Sequence, residues 1–301
     1  MGMTKFLKCM GWGMMLLMAM VGVQGQAQEK PKWKKVLPDL PESVELFENV
    51  EIAKPEGFPL LVNVYVPKAE GAHPGLLLIH GGGWQKRQID SDMPLAERLA
   101  ARGYVVVQVR YRLAQDAMYP AAVHDCKTAL RYVRANAAKY RLDKERVGVM
   151  GGSAGGHLSG LMGMTGGFKE VEGDGGFGEE STQVKACIVM AATMDLMEAN
   201  KEKNGESHVA FFGPIGEKRE VYLQASPIEH VKASSPPTLF IEGEKDTLKI
   251  GRAEMQEKLK AAGVATELVT LKGAPHPFWM SQPWLDETAK AAGDWFDRYL
   301  K

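Results

Sequence analysis

Short apolar runs and amphipathic stretches alternate along most of this chain. Residues 44–52 and 59–66 are strand-like and flank Pro55-Glu56-Gly57, which predicts an antiparallel hairpin. Residues 75–79, 104–109, 147–150, 184–192, 238–242 and 266–271 are short apolar runs of the kind that form buried strands. Between them, apolar positions recur at helical spacing over 93–102, which stops at Gly103. They recur again over 120–140, where Ala122, Cys126, Ala129, Tyr132 and Val133 mark one face and Pro120 suits the first turn. Residues 157–162, 255–262 (closed by Gly263) and 285–300 read as further helices. Buried strands alternating with helices predict an α/β fold, with a mainly parallel central sheet covered by helices on both faces. Two stretches rich in Gly, Glu and Lys, 166–183 and 198–227, break the alternation. They are expected to form a small cap over the carboxyl ends of the strands, where open α/β sheets bind ligands. The Lys- and Pro-rich stretch 28–43 reads as an arm, and the packed domain as 44–301.

The chemistry concentrates where two of these strands end. Val147-Gly148-Val149-Met150 runs into Gly151-Gly152-Ser153-Ala154-Gly155, a G-x-S-x-G element followed by helix formers. A serine on a sharp strand-to-helix turn needs small neighbours, and such a turn holds the hydroxyl out in front of the sheet. The next N–H, on Ala154, then points at the oxyanion that attack on a carbonyl would create. Upstream, Leu76-Leu77-Leu78-Ile79 runs into His80-Gly81-Gly82-Gly83-Trp84. Three glycines let backbone N–H groups approach a ligand closely, as in the oxyanion loops of lipases and esterases. Neither the Lys-Ser/Thr pair nor the G-x-G-x-x-G spacing of phosphate loops is present.

An attacking serine needs a base, and the base needs a carboxylate to fix its tautomer. In a strand–turn–helix setting of this kind the chain order is Ser, then Asp or Glu, then His. Of the later histidines, His157 falls one turn past the serine, and His208 and His230 fall in or beside the cap-like stretch. His276 follows the last strand in Ala274-Pro275-His276-Pro277-Phe278-Trp279 and is the expected base. Asp246, just past a strand end, is the expected carboxylate, with Glu242 and Glu244 as alternatives. Asp195 competes but is expected to cap a short helix. His80 is expected to bond to loop backbone, and Asp125 and Asp143 to be solvated.

The chain has 301 residues, enough for one large domain, and 37 basic against 37 acidic residues. That balance gives no electrostatic argument for nucleic acid or an anionic membrane. Lys5 and Lys8 precede an apolar run at 10–21, and Gly25-Gln26-Ala27 resembles a cleavage site. Residues 1–27 therefore read as a signal peptide, with a membrane anchor as the alternative, and the protein is expected to be exported to the periplasm or beyond. Cys9 would leave with the peptide; Cys126 and Cys187 are expected to be buried free thiols.

His80-Gly81-Gly82-Gly83-Trp84, Tyr111-Arg112-Leu113-Ala114, Tyr119-Pro120-Ala121-Ala122, Asp125 and Gly151–Leu158 together resemble the hormone-sensitive-lipase-like branch of the α/β-hydrolases. Within that branch they are most similar to bacterial bifunctional feruloyl and acetyl xylan esterases. The resemblance spans about 44–300. It implies an α/β-hydrolase fold and a secreted serine carboxylesterase with the triad Ser153, Asp246 and His276. It also implies Gly82, Gly83 and Ala154 as oxyanion donors, and no metal or cofactor. The implied partner is a small-molecule or carbohydrate ester, such as an acetylated or feruloylated plant polysaccharide. Two departures from the family pattern bear on acyl and alcohol preference: Gln115-Asp116 where relatives carry Pro-Glu, and His-Pro-Phe-Trp where His-Gly-Phe is usual. Trp84 and Trp279 are expected to contact substrate, and Phe211, Phe212 and Trp284 are further aromatics suited to stacking on a sugar ring or aromatic acyl group. An exopeptidase on the same fold, or a non-catalytic binding module, are the alternatives; modules of that kind typically lose triad members.

Overall fold

Eight strands set the frame: β1 (Val44–Ala53), β2 (Leu60–Pro67), β3 (His73–Ile79), β4 (Val105–Val109), β5 (Leu142–Gly152), β6 (Ala186–Met190), β7 (Thr238–Gly243) and β8 (Thr266–Leu271). The computed structural model describes residues 34–201 and 205–301, all within one compact unit. The signal peptide expected over 1–27 lies outside the described residues. The strands form one sheet in the order β1-β2-β4-β3-β5-β6-β7-β8. The opening hairpin is antiparallel, β2 joins β4 antiparallel, and every later pairing is parallel. This is the mainly parallel α/β sheet expected from the alternation of apolar runs, and it agrees with the fold that the resemblance implies.

The helices are α1 (Ile89–Ala101), α2 (Ala121–Ala135), α3 (Ala154–Met164), α4 (Leu196–Lys201), α5 (Gly205–Phe212), α6 (Ile215–Ala225), α7 (Arg252–Ala261) and α8 (Trp284–Leu300). Successive residues of β3 serve opposite cores, as the period of two dictates. Leu76 and Leu78 join Leu95 and Leu99 of α1 and Trp295 and Phe296 of α8. Leu77 and Ile79 join Leu130 and Val133 of α2 and Leu158 and Leu161 of α3. Each such side chain, removed from water, contributes roughly 1.5–3 kcal/mol, so the two-sided burial fixes the strand ends on which the site is built. Among the described residues, no helix is long and apolar enough to cross a membrane.

Some boundaries differ from the sequence expectation. The helix read over 120–140 stops at Ala135. The chain then turns so that Tyr140 is fully buried, its hydroxyl 2.8 Å from that of Tyr132. β5 starts at Leu142, because Leu142 and Asp143 pair with His73 and Pro74 at the edge of the apolar run.

The larger correction concerns the two stretches expected to form a cap. Residues 166–183 leave the carboxyl end of α3 and lead into the amino end of β6, so they belong to the rim opposite Ser153. They lie along α2, whose buried cations bind them. Lys127 Nζ donates to the Thr165 carbonyl (2.6 Å) and to Glu172 (2.7 Å), and Arg131 Nε donates to the Gly176 carbonyl (2.9 Å). Arg134 donates to the carbonyl of Gln183 (2.7 Å) and to that of Ser181. Only 198–227, which includes α5 and α6, leaves the carboxyl end of a strand; its Phe211 stacks on Trp84 with ring centroids 5.4 Å apart.

Candidate active site

Ser153 stands between β5 and α3 at φ 57°, ψ −124°, a left-handed conformation that non-glycine residues rarely adopt. The turn is held by the Ser153 N–H on the Met190 carbonyl (2.9 Å) and by the His157 N–H on the Ser153 carbonyl (2.9 Å). Its neighbours leave no room for side chains. A methyl group on Gly155 would come within 2.0 Å of the Ile79 carbonyl oxygen, and one on Gly152 within 2.2 Å of the Trp279 ring. Backbone strain of this kind is kept only where the surroundings determine it fully, and it presents the serine hydroxyl at the strand ends.

Loops after β7 and β8 bring the other two groups to it. His276 Nδ1 is 2.8 Å from Asp246 Oδ2, and His276 Nε2 is 3.2 Å from Ser153 Oγ. The carboxylate accepts, so Nδ1 carries the proton and the Nε2 lone pair faces the serine hydroxyl. The Asp246 side chain is 1% exposed, and its second oxygen accepts the Leu248 N–H at 2.9 Å. The His276 side chain is 30% exposed, so part of its ring is open to solvent. The alternatives lie elsewhere. Asp195 caps α4 by accepting the Glu198 N–H (2.9 Å), and Glu244 accepts the Gly273 N–H (2.7 Å). Glu242 pairs with Arg252 (3.3 Å), and His230 donates to the Gln224 carbonyl (2.7 Å).

A cavity of about 210 Å³ opens beside the serine, lined by Ser153 with Gly83, Ala154, Trp84, His157, Ala192, Thr193, His208 and Leu248. Gly83 and Ala154, two of the three expected oxyanion donors, line it. Gly82, the third, is not among the lining residues; its carbonyl accepts the N–H groups of Gln85 (3.1 Å) and Lys86 (2.9 Å). Trp84, 4% exposed, contributes one wall and is sandwiched by the cap. His157 donates Nε2–H to the Ala225 carbonyl (2.7 Å); burial pushes it down to about 4, so it is a neutral wall. His80 is also buried, lowered to about 4 by desolvation, and donates to the Gly81 carbonyl (2.7 Å) while stacking on Tyr111. Thr193, Ala192 and Leu248 carry no sequence signal beyond following strand ends.

Three expectations change. Trp279 is not open to substrate: it is 1% exposed, packed edge-on against His276 from the protein side, with Nε1 donating to Asp92 Oδ1 at 2.9 Å. Phe211, Phe212 and Trp284 are likewise buried, and the first two pack the cap rather than face solvent. Asp125 is not solvated: at 1% exposure it binds Arg112 through both oxygens (2.9 and 3.0 Å), and Arg112 reaches Glu56 on the opening hairpin's turn. The apolar face of α2 is broad enough to take an ion pair inside, where a carboxylate must be partnered. Cys126 and Cys187 are buried free thiols. Among the described residues, no three His, Cys, Asp or Glu side chains are grouped to hold a metal ion.

Comparison with known proteins points the same way. Residues 62–255 match the BD-FAE family model. Esterase LipC of Mycobacterium tuberculosis is 32% identical over 215 residues, covering 68% of this chain and 53% of that protein. The chain thus spans about half the length of that curated relative. A solved truncated form of a carbohydrate esterase from gut microbiota superposes with TM-score 0.78 at 24% identity, covering 88% of this chain and 99% of the other, a likeness of fold. A bifunctional GH43-CE protein of Bacteroides eggerthii gives TM-score 0.76 at 27% identity, covering 85% of this chain and 38% of the other.

Proposed function

The chain belongs to the BD-FAE family, and from that premise we propose that it is a serine carboxylesterase that removes short acyl groups from a bulky alcohol through an acyl-enzyme. The observation that carries this reading is the hydrogen-bonded chain Ser153 Oγ, His276 and Asp246 at a strained elbow, at 3.2 and 2.8 Å. His276 takes the serine proton as Oγ attacks the ester carbonyl. The N–H groups of Gly82, Gly83 and Ala154 meet the oxyanion. His276 then protonates the departing alcohol, and water repeats the sequence on the acyl-enzyme.

Substrate class follows from which side each part must take. The leaving alcohol must lie against His276, which is half-exposed. The cavity beside Ser153, lined by Gly83 and Ala154, is the proposed place of the acyl group. At about 210 Å³ it is smaller than a drug-sized pocket and suits an acetyl better than a feruloyl group. The open alcohol side suits a sugar, and the carbohydrate esterases among the similar structures support that choice. The basic start and apolar run of 1–27 support export, so plant cell-wall polysaccharide or its oligosaccharides are the proposed substrates.

The test is acetate and ferulate release from acetylated xylan, acetylated pectin and feruloylated arabinoxylan, with Ser153→Ala as blank. Acetate release that vanishes in the blank is expected. Cleavage of p-nitrophenyl acetate without release from any polymer would remove the polysaccharide from the proposal.

A further inference from the structure

Trp279 lies against the proposed base and against the residue that precedes the proposed nucleophile. Its ring fills the space in which a side chain on Gly152, the residue before the nucleophile, would lie, with the nearest ring atom 2.2 Å from a Cβ built there. The same ring meets the His276 imidazole edge-on, with centroids 5.3 Å apart at 86°. One indole therefore abuts the elbow that strains Ser153 and the base that accepts its proton. The indole is oriented by a single polar contact, Nε1–H to Asp92 Oδ1 at 2.9 Å.

Asp92 sits on α1, far from the triad in sequence, and is 1% exposed. Its second oxygen has no hydrogen-bond partner. A buried carboxylate with an unpaired oxygen is costly where an apolar residue would pack freely. Fold stability therefore gives no account of a carboxylate here, whereas aiming the indole does. The chain ahead of β1 reinforces the arrangement: the Val36 N–H donates to the Met280 carbonyl (3.2 Å), and Lys35 Nζ donates to Ser91 Oγ (2.9 Å), one residue from Asp92.

We propose that Asp92 and Trp279 are positioning residues that set the Ser153–His276 geometry from beneath. The inference rests on the esterase reading above. Displacements on the scale of an ångström cost up to about a hundred-fold in rate, so partial loosening of the ring should cost about ten-fold.

The experiment uses the full chain, with Ser153 counted by fluorophosphonate titration and p-nitrophenyl acetate as substrate. In Asp92→Leu and Trp279→Phe, kcat per titrated site should fall about ten-fold with KM within about two-fold. Asp92→Asn keeps an oxygen for the indole and should restore kcat to within about two-fold of wild type. A purely structural role would lower the titratable fraction and the melting temperature while leaving kcat per site unchanged; that result would overturn the proposal. If Asp92→Leu does not fold, Trp279→Phe, which removes the indole N–H together with one of its two fused rings, decides alone. A wild-type protein that neither titrates nor turns over would overturn the esterase reading, and this role with it.

Discussion

The segments 166–183 and 198–227 share a composition rich in Gly, Glu and Lys, yet they are held to the domain by opposite means. The first is tied by charge. Lys127, fully buried, Arg131 and Arg134 reach from α2 to its carbonyls and to Glu172, which also accepts the Thr182 hydroxyl and the Gly167 N–H. The second is held by rings. Phe211 and Phe212 pack on Trp84, with Tyr119, His157, His208 and Tyr222 around them. In that cluster Trp84 Nε1, Tyr119 Oη, His157 Nδ1 and His208 Nδ1 are buried without a hydrogen-bond partner. Buried cation-to-carbonyl bonds demand one geometry, whereas ring packing is non-directional and tolerates repacking. The fixed segment stands on the rim away from Ser153, and the adaptable one contributes His208 to the cavity beside Ser153 and packs Phe211 and Phe212 on its Trp84 wall.

The largest effect expected from splitting the two segments is on stability. Glu172→Ala leaves the Lys127 ammonium buried and short of a charge partner, and should cost about 3–5 kcal/mol in chemical denaturation. Esterase turnover and acyl preference of the folded fraction should stay as in wild type. An altered acyl preference would break the distinction between the rims. Phe211→Ala removes a ring from the cap and should cost about 3 kcal/mol or more. It should also move the acyl-length profile of p-nitrophenyl esters toward longer chains, which Glu172→Ala should not do.

A smaller, pH-dependent effect sharpens the contrast. Burial lowers His157 in the aromatic cluster and His80 at the start of the glycine loop to about 4. Between roughly pH 6.5 and 4 the unfolded histidines bind protons that the folded ones refuse, so their contribution is whole above about 6.5 and lost as pH falls toward 4. Asp92 acts with the opposite sign. Burial raises its carboxyl to about 7, against the pull of the Trp279 N–H and of Lys35. From about pH 4 to 7 the folded protein therefore keeps a proton that the unfolded chain releases, and stability falls as pH rises through that window. Melting temperatures should drop between pH 6.5 and 4.5, and Asp92→Asn should make that drop steeper by removing the opposing group. A shallower drop in the variant would contradict the sign assigned to Asp92.

Much of the site was legible because its signals are local. The elbow from Gly151 to Gly155 and the glycine loop from Gly81 to Gly83 each need particular small residues in a row, and chain order picked Asp246 and His276, which lie within hydrogen-bonding reach of each other and of Ser153, from their competitors. What escaped reading depends on contacts distant in sequence. No pattern near Asp92 marks it as the acceptor for Trp279, and nothing in the helical spacing of α2 shows that Asp125 and Lys127 point inward to Arg112 and Glu172. The misplacement of 166–183 has a different cause. A connection from the end of a helix to the start of the next parallel strand must lie at the amino rim, so its position followed from connectivity even though its composition matched the cap.

The central claim is that Ser153, and no other serine, is the group acylated. The most direct measurement is fluorophosphonate labelling of the full chain followed by peptide mapping, beside the His276→Ala protein. The account predicts a single adduct on Ser153 that forms far more slowly in the variant. An adduct on another serine, such as Ser159 in the interior of α3, or labelling indifferent to His276, would contradict it.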